Sequence, residues 1–312
     1  MSVLKQNISL SNFSNYRIGG PAQYLSEIFS EEDLINGIKE FRNIKQGGKI
    51  FILGGGTNLL IPDEGIEGLV ILNKLKGIFI EAEGLRVESG VLISDLLNYC
   101  IENGLSGLEW AGGLPGTVGG GVRGNAGAFG GEVKDSVEKV LSINLETFEE
   151  QVRNTSDLKF GYRDSVFKSG EGRDDFIVEV YFKLIPGESS EIKNKAQERI
   201  DYRWERHPME LPNIGSTFKN IPVKEVPQDI LDQFKNSIKN DPFPILPVAK
   251  ILSVAGLKGK RIGDAQVSEK HPNFIVNLGH AKASDVLSLI EIVKKEIKDK
   301  YGLSLEEEII IL

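Results

Sequence analysis

Two glycine-rich segments carry the residue types best suited to hold a ligand. The first, GGGTNLL at 54–60, directly follows the β-rich run KIFIL at 49–53. Glycines there permit positive φ and let the backbone come close to a ligand. Successive N–H groups in such a turn make a concave anion site, to which Thr57 and Asn58 add side-chain donors. Read alone, the segment is a tight turn between strands. The second segment, 104–131, holds twelve glycines in twenty-eight residues, in a chain where glycine is 35 of 312. Each ordered glycine costs roughly 0.5–1 kcal/mol relative to alanine. A flexible linker could hold so many, but linkers are serine-rich and lack bulky apolar groups. This stretch has one serine and includes Leu105, Leu108, Trp110, Leu114, Val118, Val122 and Phe129. Ordered backbone lying against a large flat ligand fits better. A dinucleotide with its pyrophosphate between the two glycine loops would use both segments.

Other chemistry is poorly supplied. The single cysteine, Cys100, lies in the apolar helical segment SDLLNYCIENG and reads as a buried thiol. Three scattered histidines, His207, His271 and His280, have no metal-site spacing, so no metal is expected. A formal charge of −8 leaves no basic surplus for a nucleic-acid backbone. The N-terminus shows no secretory pattern, and no apolar run approaches the ~20 residues of a membrane span. A cytoplasmic, metal-free protein with neither nucleic-acid nor membrane partner is expected.

The elements that must position these segments mix strands and helices. Ser30-Glu-Glu-Asp33 predicts a capping box opening a helix toward Phe41. Strands are predicted at 49–53, 68–72, 77–81, 85–89, 136–144 and 175–184. Ser94 is expected to cap a helix that ends before Gly104. At 188–206 the pattern turns polar and helical, marking a candidate boundary. The proline-containing, charged stretch 223–247 reads as an irregular excursion. Over 284–301, Val286, Ile290, Val293, Ile297 and Tyr301 share one helical face, and Gly302 ends it. The closing LEEEIIIL, 305–312, reads as a strand; with Ile309 and Ile311 facing a core, Glu308 and Ile310 share the other face. The class is α+β or α/β.

GGGTNLL and GLEWAGGLPGTVGGGVRGNAGAFGGEV together resemble the FAD-binding domain of the UDP-N-acetylenolpyruvoylglucosamine reductases (MurB). NYRIGGPA at 15–22, GYRDSVFK at 161–168, GSTFKN at 215–220, GLKGKRIGDAQVSEKHPNFIVN at 256–277 and the terminal LEEEI follow in the family's order. The resemblance implies an α+β protein: a two-lobed FAD-binding domain of the PCMH/vanillyl-alcohol-oxidase type and a separate α/β substrate-binding domain. On that pattern 1–72 and 73–187 are the FAD lobes, 188–301 is the substrate domain, and 302–312 returns Glu308 to the active site. FAD would be noncovalent, since no histidine lies in the glycine-rich segments; NADPH would be the co-substrate and the protein a monomer. The FAD contacts implied are Gly54, Gly55, Gly56, Thr57, Asn58 and Leu59, with Gly113, Pro115, Gly116, Thr117, Gly119, Gly120, Asn125, Ala126, Gly127 and Ala128.

The implied reaction reduces the enolpyruvyl ether of UDP-N-acetylglucosamine to the lactyl ether, UDP-N-acetylmuramate, for peptidoglycan synthesis. Hydride delivery to the β-carbon drives negative charge onto the α-carbon and its carboxylate. The site must stabilise that charge and supply one proton. The resemblance assigns proton donation to Ser216, the substrate carboxylate to Arg163, whose planar fork suits it, and a stabilising acid to Glu308. Without it, Ser216 is a turn serine after Gly215, Arg163 a surface ion pair with Asp164 or Asp174, and Glu308 one of three solvated glutamates. Asn220 and Gln266 match substrate contacts, as do Tyr162 and Lys219; Gly263 and Val267 would shape the backbone around Gln266. Departures are Lys250 and Ser253, where the family has an aromatic and an acidic residue, a long 223–247 stretch, and a poorly matched basic position near Arg206. Two competing functions are a sugar or alcohol oxidase on the same FAD fold and a non-enzymatic nucleotide-binding regulator.

Overall fold

A computed structural model describes residues 3–82, 84–241 and 243–312. Two compact units emerge. Unit 1 comprises Ala22–Gly55 and Glu67–Tyr202 with the chain up to Ile8; unit 2 comprises Ser9–Pro21, Gly56–Ile66 and Arg203–Leu312.

Unit 1 contains two sheets. In the first, strands follow the order Lys5–Ser9, Pro21–Ile28, Ile66–Asn73, Ile50–Leu53, the last pair parallel with Ile50 opposite Leu69. Helix α1 (Glu31–Ile44) starts where expected: Ser30 Oγ accepts from the Asp33 N–H at 3.1 Å, and Asp33 accepts from the Phe29 N–H at 2.9 Å. Leu34, Ile38 and Phe41 bury their side chains with Leu69, Ile71 and Phe176, each worth about 1.5–3 kcal/mol relative to exposure. The second sheet is antiparallel, in the order Glu150–Asn154, Val137–Asn144, Asp175–Lys183, Gly84–Glu88, Ile78–Glu81. On it pack α2 (Ile93–Glu102), the short α3 (Val118–Arg123) and α4 (Val166–Ser169), sharing a core of Leu85, Val87, Leu97, Val122, Val140 and Val180. Helix α5 (Ser189–Arg206) follows, and unit 1 runs into it as far as Tyr202. Cys100 is buried in α2, which pushes its thiol up to about 12. A buried pair ties the sheet: Arg153 donates to Asp175 at 2.7 Å, and Ser142 and Asn144 also donate to that carboxylate.

Unit 2 is built around α6 (Gln228–Phe234), α7 (Val248–Ala255) and α8 (Ala283–Tyr301). Val286, Ile290, Val293, Ile297 and Tyr301 are all buried, and Gly302 ends α8 in the left-handed region at φ 68°. Asp63 caps that helix from 220 residues away, accepting from the Ala283 N–H at 2.7 Å and the Ser284 N–H at 3.0 Å. Partial burial would raise its carboxyl, but the Ser284 and Ala283 N–H groups, the Ser284 hydroxyl and Lys282 hold it below the ordinary carboxylate range.

Three expectations are corrected. The 223–247 stretch is ordered: α6 and a three-stranded sheet (Ile221–Pro222, Pro244–Leu246, Lys239–Asn240) occupy it, and Ile230, Phe234, Ile245 and Leu246 join the unit 2 core. Its prolines punctuate these elements, Pro227 and Pro247 preceding α6 and α7; Pro242 lies outside the described residues. Ser94 does not cap α2, which begins one residue earlier at Ile93; its hydroxyl faces Asp95 instead. The terminal strand is short, spanning Ile310–Ile311 parallel to Leu59–Leu60, and Ile311 is 44% exposed while Ile309 is buried. Two residues of pairing are too few to carry the alternation through to Ile311.

Candidate active site

Within unit 1 the two glycine-rich segments meet. Gly54 follows the Ile50–Leu53 strand, and a Cβ placed on it would stand 2.6 Å from Thr117 Oγ1. Gly113 and Gly116 have φ of 69° and 112°, conformations that side-chain-bearing residues rarely adopt. Thr117 accepts from the Gly120 N–H at 3.4 Å, and the Val118 and Gly119 N–H groups go to Val91 and Ser89 carbonyls at 2.9 and 2.8 Å. The first turn of α3 is therefore tied inward, so an anion bound to this tract would meet the backbone before Val118. Pro115 is exposed, and Gly113, Gly116 and Gly55 are half-buried. Gly127 and Ala128 pair with Glu132 and Gly131 in a short hairpin, with Ala126 donating to Gly121 just before it at 2.8 Å. Such a neutral surface made of backbone and small residues fits a flavin dinucleotide, whose phosphates would be held by N–H groups rather than by lysines.

The arginine expected to hold a carboxylate also lies in unit 1. Gly161 and Asp164 close a tight turn through reciprocal backbone bonds of 3.0 and 3.3 Å, and Arg163 within it has φ 55°. Its Nη1 donates to the Gly127 carbonyl at 2.9 Å, its own carbonyl accepts from Lys168 Nζ at 2.7 Å, and its guanidinium lies 5.7 Å from the centre of the Tyr162 ring. Asp174 is paired with Arg173.

Unit 2 holds Ser216, Lys219, Asn220, Gln266 and Glu308, and it pairs the Ser216 and Glu308 segments. Phe218 bridges Glu307 in antiparallel fashion, the Glu308 N–H donates to the Thr217 carbonyl at 2.8 Å, and the Lys219 N–H donates to Glu306 at 2.9 Å. The 306–308 segment thus runs alongside Ser216 and its followers. On its other side, Asn58 Nδ2 donates to the Glu308 carbonyl at 3.2 Å, and the Ile310 N–H to the Asn58 carbonyl at 2.9 Å. Gly56, at φ 61°, packs so closely on the Phe13 carbonyl that a Cβ would overlap it, and Thr57 and Leu59 are half-buried beside it. Glu306 is ion-paired with Lys219 and Glu307 with Lys294. Asn220 Oδ1 accepts from the Val248 N–H at 3.1 Å, anchoring the start of α7, and Gln266 donates weakly to the Gly259 carbonyl at 3.3 Å. Lys250 and Ser253 lie on the exposed face of α7.

Sequence reasoning missed the residues that hold this arrangement. Asn273 is buried; its carbonyl accepts from Thr217 at 2.7 Å, its Oδ1 from the Phe218 N–H at 3.1 Å, and its Nδ2 donates to the Phe218 carbonyl at 2.8 Å. Tyr16 donates to the Ile275 carbonyl at 2.9 Å and accepts from Asn277 through its own carbonyl at 3.0 Å; burial drives its phenol far upward. The available signal was a buried-type asparagine inside an otherwise apolar run, NFIVN. Beside Asn273, His207, His271 and Phe274 pack with ring centres 5.0 Å apart, His271 edge-on to the other two. Burial and neighbouring cationic groups lower the histidines to about 3 and about 4 respectively.

Comparison with known proteins identifies both parts of the chain. Residues 23–147 match an FAD binding domain, and residues 207–312 match the C-terminal domain of UDP-N-acetylenolpyruvoylglucosamine reductase. The chain is 37% identical over 307 residues to the UDP-N-acetylenolpyruvoylglucosamine reductase of Caldanaerobacter subterraneus subsp. tengcongensis, covering 98% of this chain and 92% of that relative. This chain belongs to the UDP-N-acetylenolpyruvoylglucosamine reductase family. The Petrotoga mobilis reductase is likewise 37% identical over 313 residues, covering 98% of this chain and 93% of that relative. The Thermus caldophilus reductase (MurB) superposes with a TM-score of 0.77 at 29% identity, covering 99% of each chain. The fold is accordingly α+β, a PCMH-type FAD-binding domain with a separate C-terminal reductase domain, and the protein is an FAD-dependent oxidoreductase. Among the described residues no helix is long and apolar enough to cross a membrane, and no cluster of three or more His, Cys, Asp or Glu side chains could hold a metal ion.

Proposed function

We propose that this enzyme uses NADPH to reduce the enolpyruvyl ether of UDP-N-acetylglucosamine to UDP-N-acetylmuramate. Bound FAD supplies the two-electron chemistry between the two substrates. The chain's own residues do the rest. Arg163 holds the substrate carboxylate, Glu308 stabilises the enolate-like charge, and Ser216 gives its hydroxyl proton to the α-carbon, completing the saturated ether. Gly54–Leu59 and the 113–128 tract hold the dinucleotide, and Tyr162, Lys219, Asn220 and Gln266 orient the sugar nucleotide. In unit 2, Lys219 and Asn220 already have internal partners, so they would position the substrate while staying tied to Glu306 and α7. The observation that carries the reading is the 2.8 Å bond from the Glu308 N–H to the Thr217 carbonyl, because it fixes the acid's backbone one residue from Ser216. A cytoplasmic location suits both nucleotide substrates. The test is NADPH oxidation by the purified yellow protein with and without the enolpyruvyl sugar nucleotide. Turnover that requires the sugar nucleotide supports the reading; rapid reaction of the reduced flavin with oxygen and none with the sugar nucleotide would replace it with an oxidase.

A further inference from the structure

We infer that Asn125 is a positioning residue that fastens the Arg163 turn to the second glycine segment. The inference rests on the proposed role of Arg163 at the substrate carboxylate. Asn125 is fully buried and sits in the left-handed region at φ 41°, a conformation asparagine tolerates better than most residues. Its amide is fully engaged: Nδ2 donates to the Gly161 carbonyl at 2.9 Å and to Glu132 Oε1 at 3.2 Å, while Oδ1 accepts from the Lys134 N–H at 3.1 Å. Any contact Asn125 makes with a cofactor therefore falls to its backbone.

The Gly161 carbonyl thus accepts from both Asn125 and the Asp164 N–H, which pins the first residue of the turn. Two residues later the chain returns the contact, Arg163 Nη1 donating to Gly127 at 2.9 Å, and Ser165 Oγ adds a third strap to the Arg123 carbonyl at 2.8 Å. Three bonds between 161–165 and 123–127 form a closed circuit, in which the Asn125 and Ser165 side chains are both buried. The circuit sets the origin of the Arg163 side chain. The chemistry demands an amide. Two acceptors, one of them a carboxylate, require two N–H donors, and the Lys134 N–H requires an oxygen. An aspartate would keep the shape, lose both donors and place a second negative charge beside Glu132.

The test uses holoenzyme carrying Asn125→Asp, Arg163→Lys and the pair, with flavin reduction by NADPH and reoxidation by the enolpyruvyl sugar nucleotide followed separately. Asn125→Asp should raise the half-saturating sugar-nucleotide concentration in reoxidation about tenfold, a larger change than it makes in flavin reduction by NADPH. Added to Arg163→Lys, it should cost no more than about twofold further, since both act through one group. Wild-type reoxidation by Asn125→Asp alongside impaired Arg163→Lys, or effects that multiply in the double variant, overturns the inference alone. Wild-type reoxidation by Arg163→Lys removes the carboxylate role first and the inference with it. Should Asn125→Asp lose its flavin, amide hydrogen exchange decides: acceleration confined to 123–134 and 161–165 supports the positioning role, and acceleration throughout the five-stranded sheet overturns it.

Discussion

The paired glycine segments and the pairing around Ser216 use different parts of the chain. At Gly54 and Thr117 the surface is backbone, and side chains are absent or turned inward. Between 216–219 and 306–308 the backbone sets only register, and side-chain identity carries the proposed chemistry. Substitution in the first region should therefore appear as lost stability and lost flavin, and in the second as lost rate.

The sharpest break of that contrast is Ser216→Ala. Reoxidation of the reduced enzyme by the enolpyruvyl substrate should slow about 10³-fold, with NADPH reduction unchanged. Thermal unfolding should stay within about 0.5 kcal/mol of wild type; a large stability loss would return Ser216 to a structural role. Gly56→Ala should do the reverse, costing roughly 2–3 kcal/mol through strain at positive φ and overlap with Phe13, and weakening flavin retention in equilibrium dialysis. A variant as stable as wild type would show that the turn tolerates side chains.

Smaller still, Asp63→Ala removes the cap of α8 and should cost about 1 kcal/mol in denaturant unfolding at neutral pH. The Asp63 carboxyl is held low, so its contribution is present above about pH 4 and fades as pH falls below that. The gap between wild type and variant should close in acid; a constant gap would mean the carboxylate charge is irrelevant. A pH-dependent effect concerns His207 and His271. Unfolded they protonate near pH 6.5; folded they resist until about 3 and about 4. The unfolded chain binds more protons between those values, so stability falls as pH drops from about 6.5 toward 4. His271→Phe should flatten that slope in urea titrations at pH 7 and pH 5, and an unchanged slope would assign the acid sensitivity elsewhere.

These regions also differ in how readily they could be read. Glycine crowding is compositional, so the 104–131 segment was visible without knowing what it touches. Helices α1 and α8 were legible because Ser30 and Asp33 are local capping residues and Val286 through Tyr301 follow helical spacing. The 223–247 stretch was not, because its prolines suggest broken structure while Ile230 and Phe234 find their partners far away in α7 and α8. Asn273 escaped notice for a similar reason: its work is on Thr217 and Phe218, more than fifty residues earlier. Ser94 and Ile311 show the limits of local rules, the first because Leu92 already turns the chain, the second because pairing extends for only two residues.

The span from Asp63 to Ala283 sets an order of assembly. Most of unit 1 lies between residues 22 and 202, so its sheets can form while synthesis continues. Unit 2 has no such freedom: Leu59 waits for Ile310 and Asp63 waits for α8. During translation, residues 56–66 are made early and stay unclosed until the last helix emerges. A ribosome stalled near residue 280 would carry a nascent chain with the first sheets in place and the Ser216 neighbourhood still open, unable to turn over substrate.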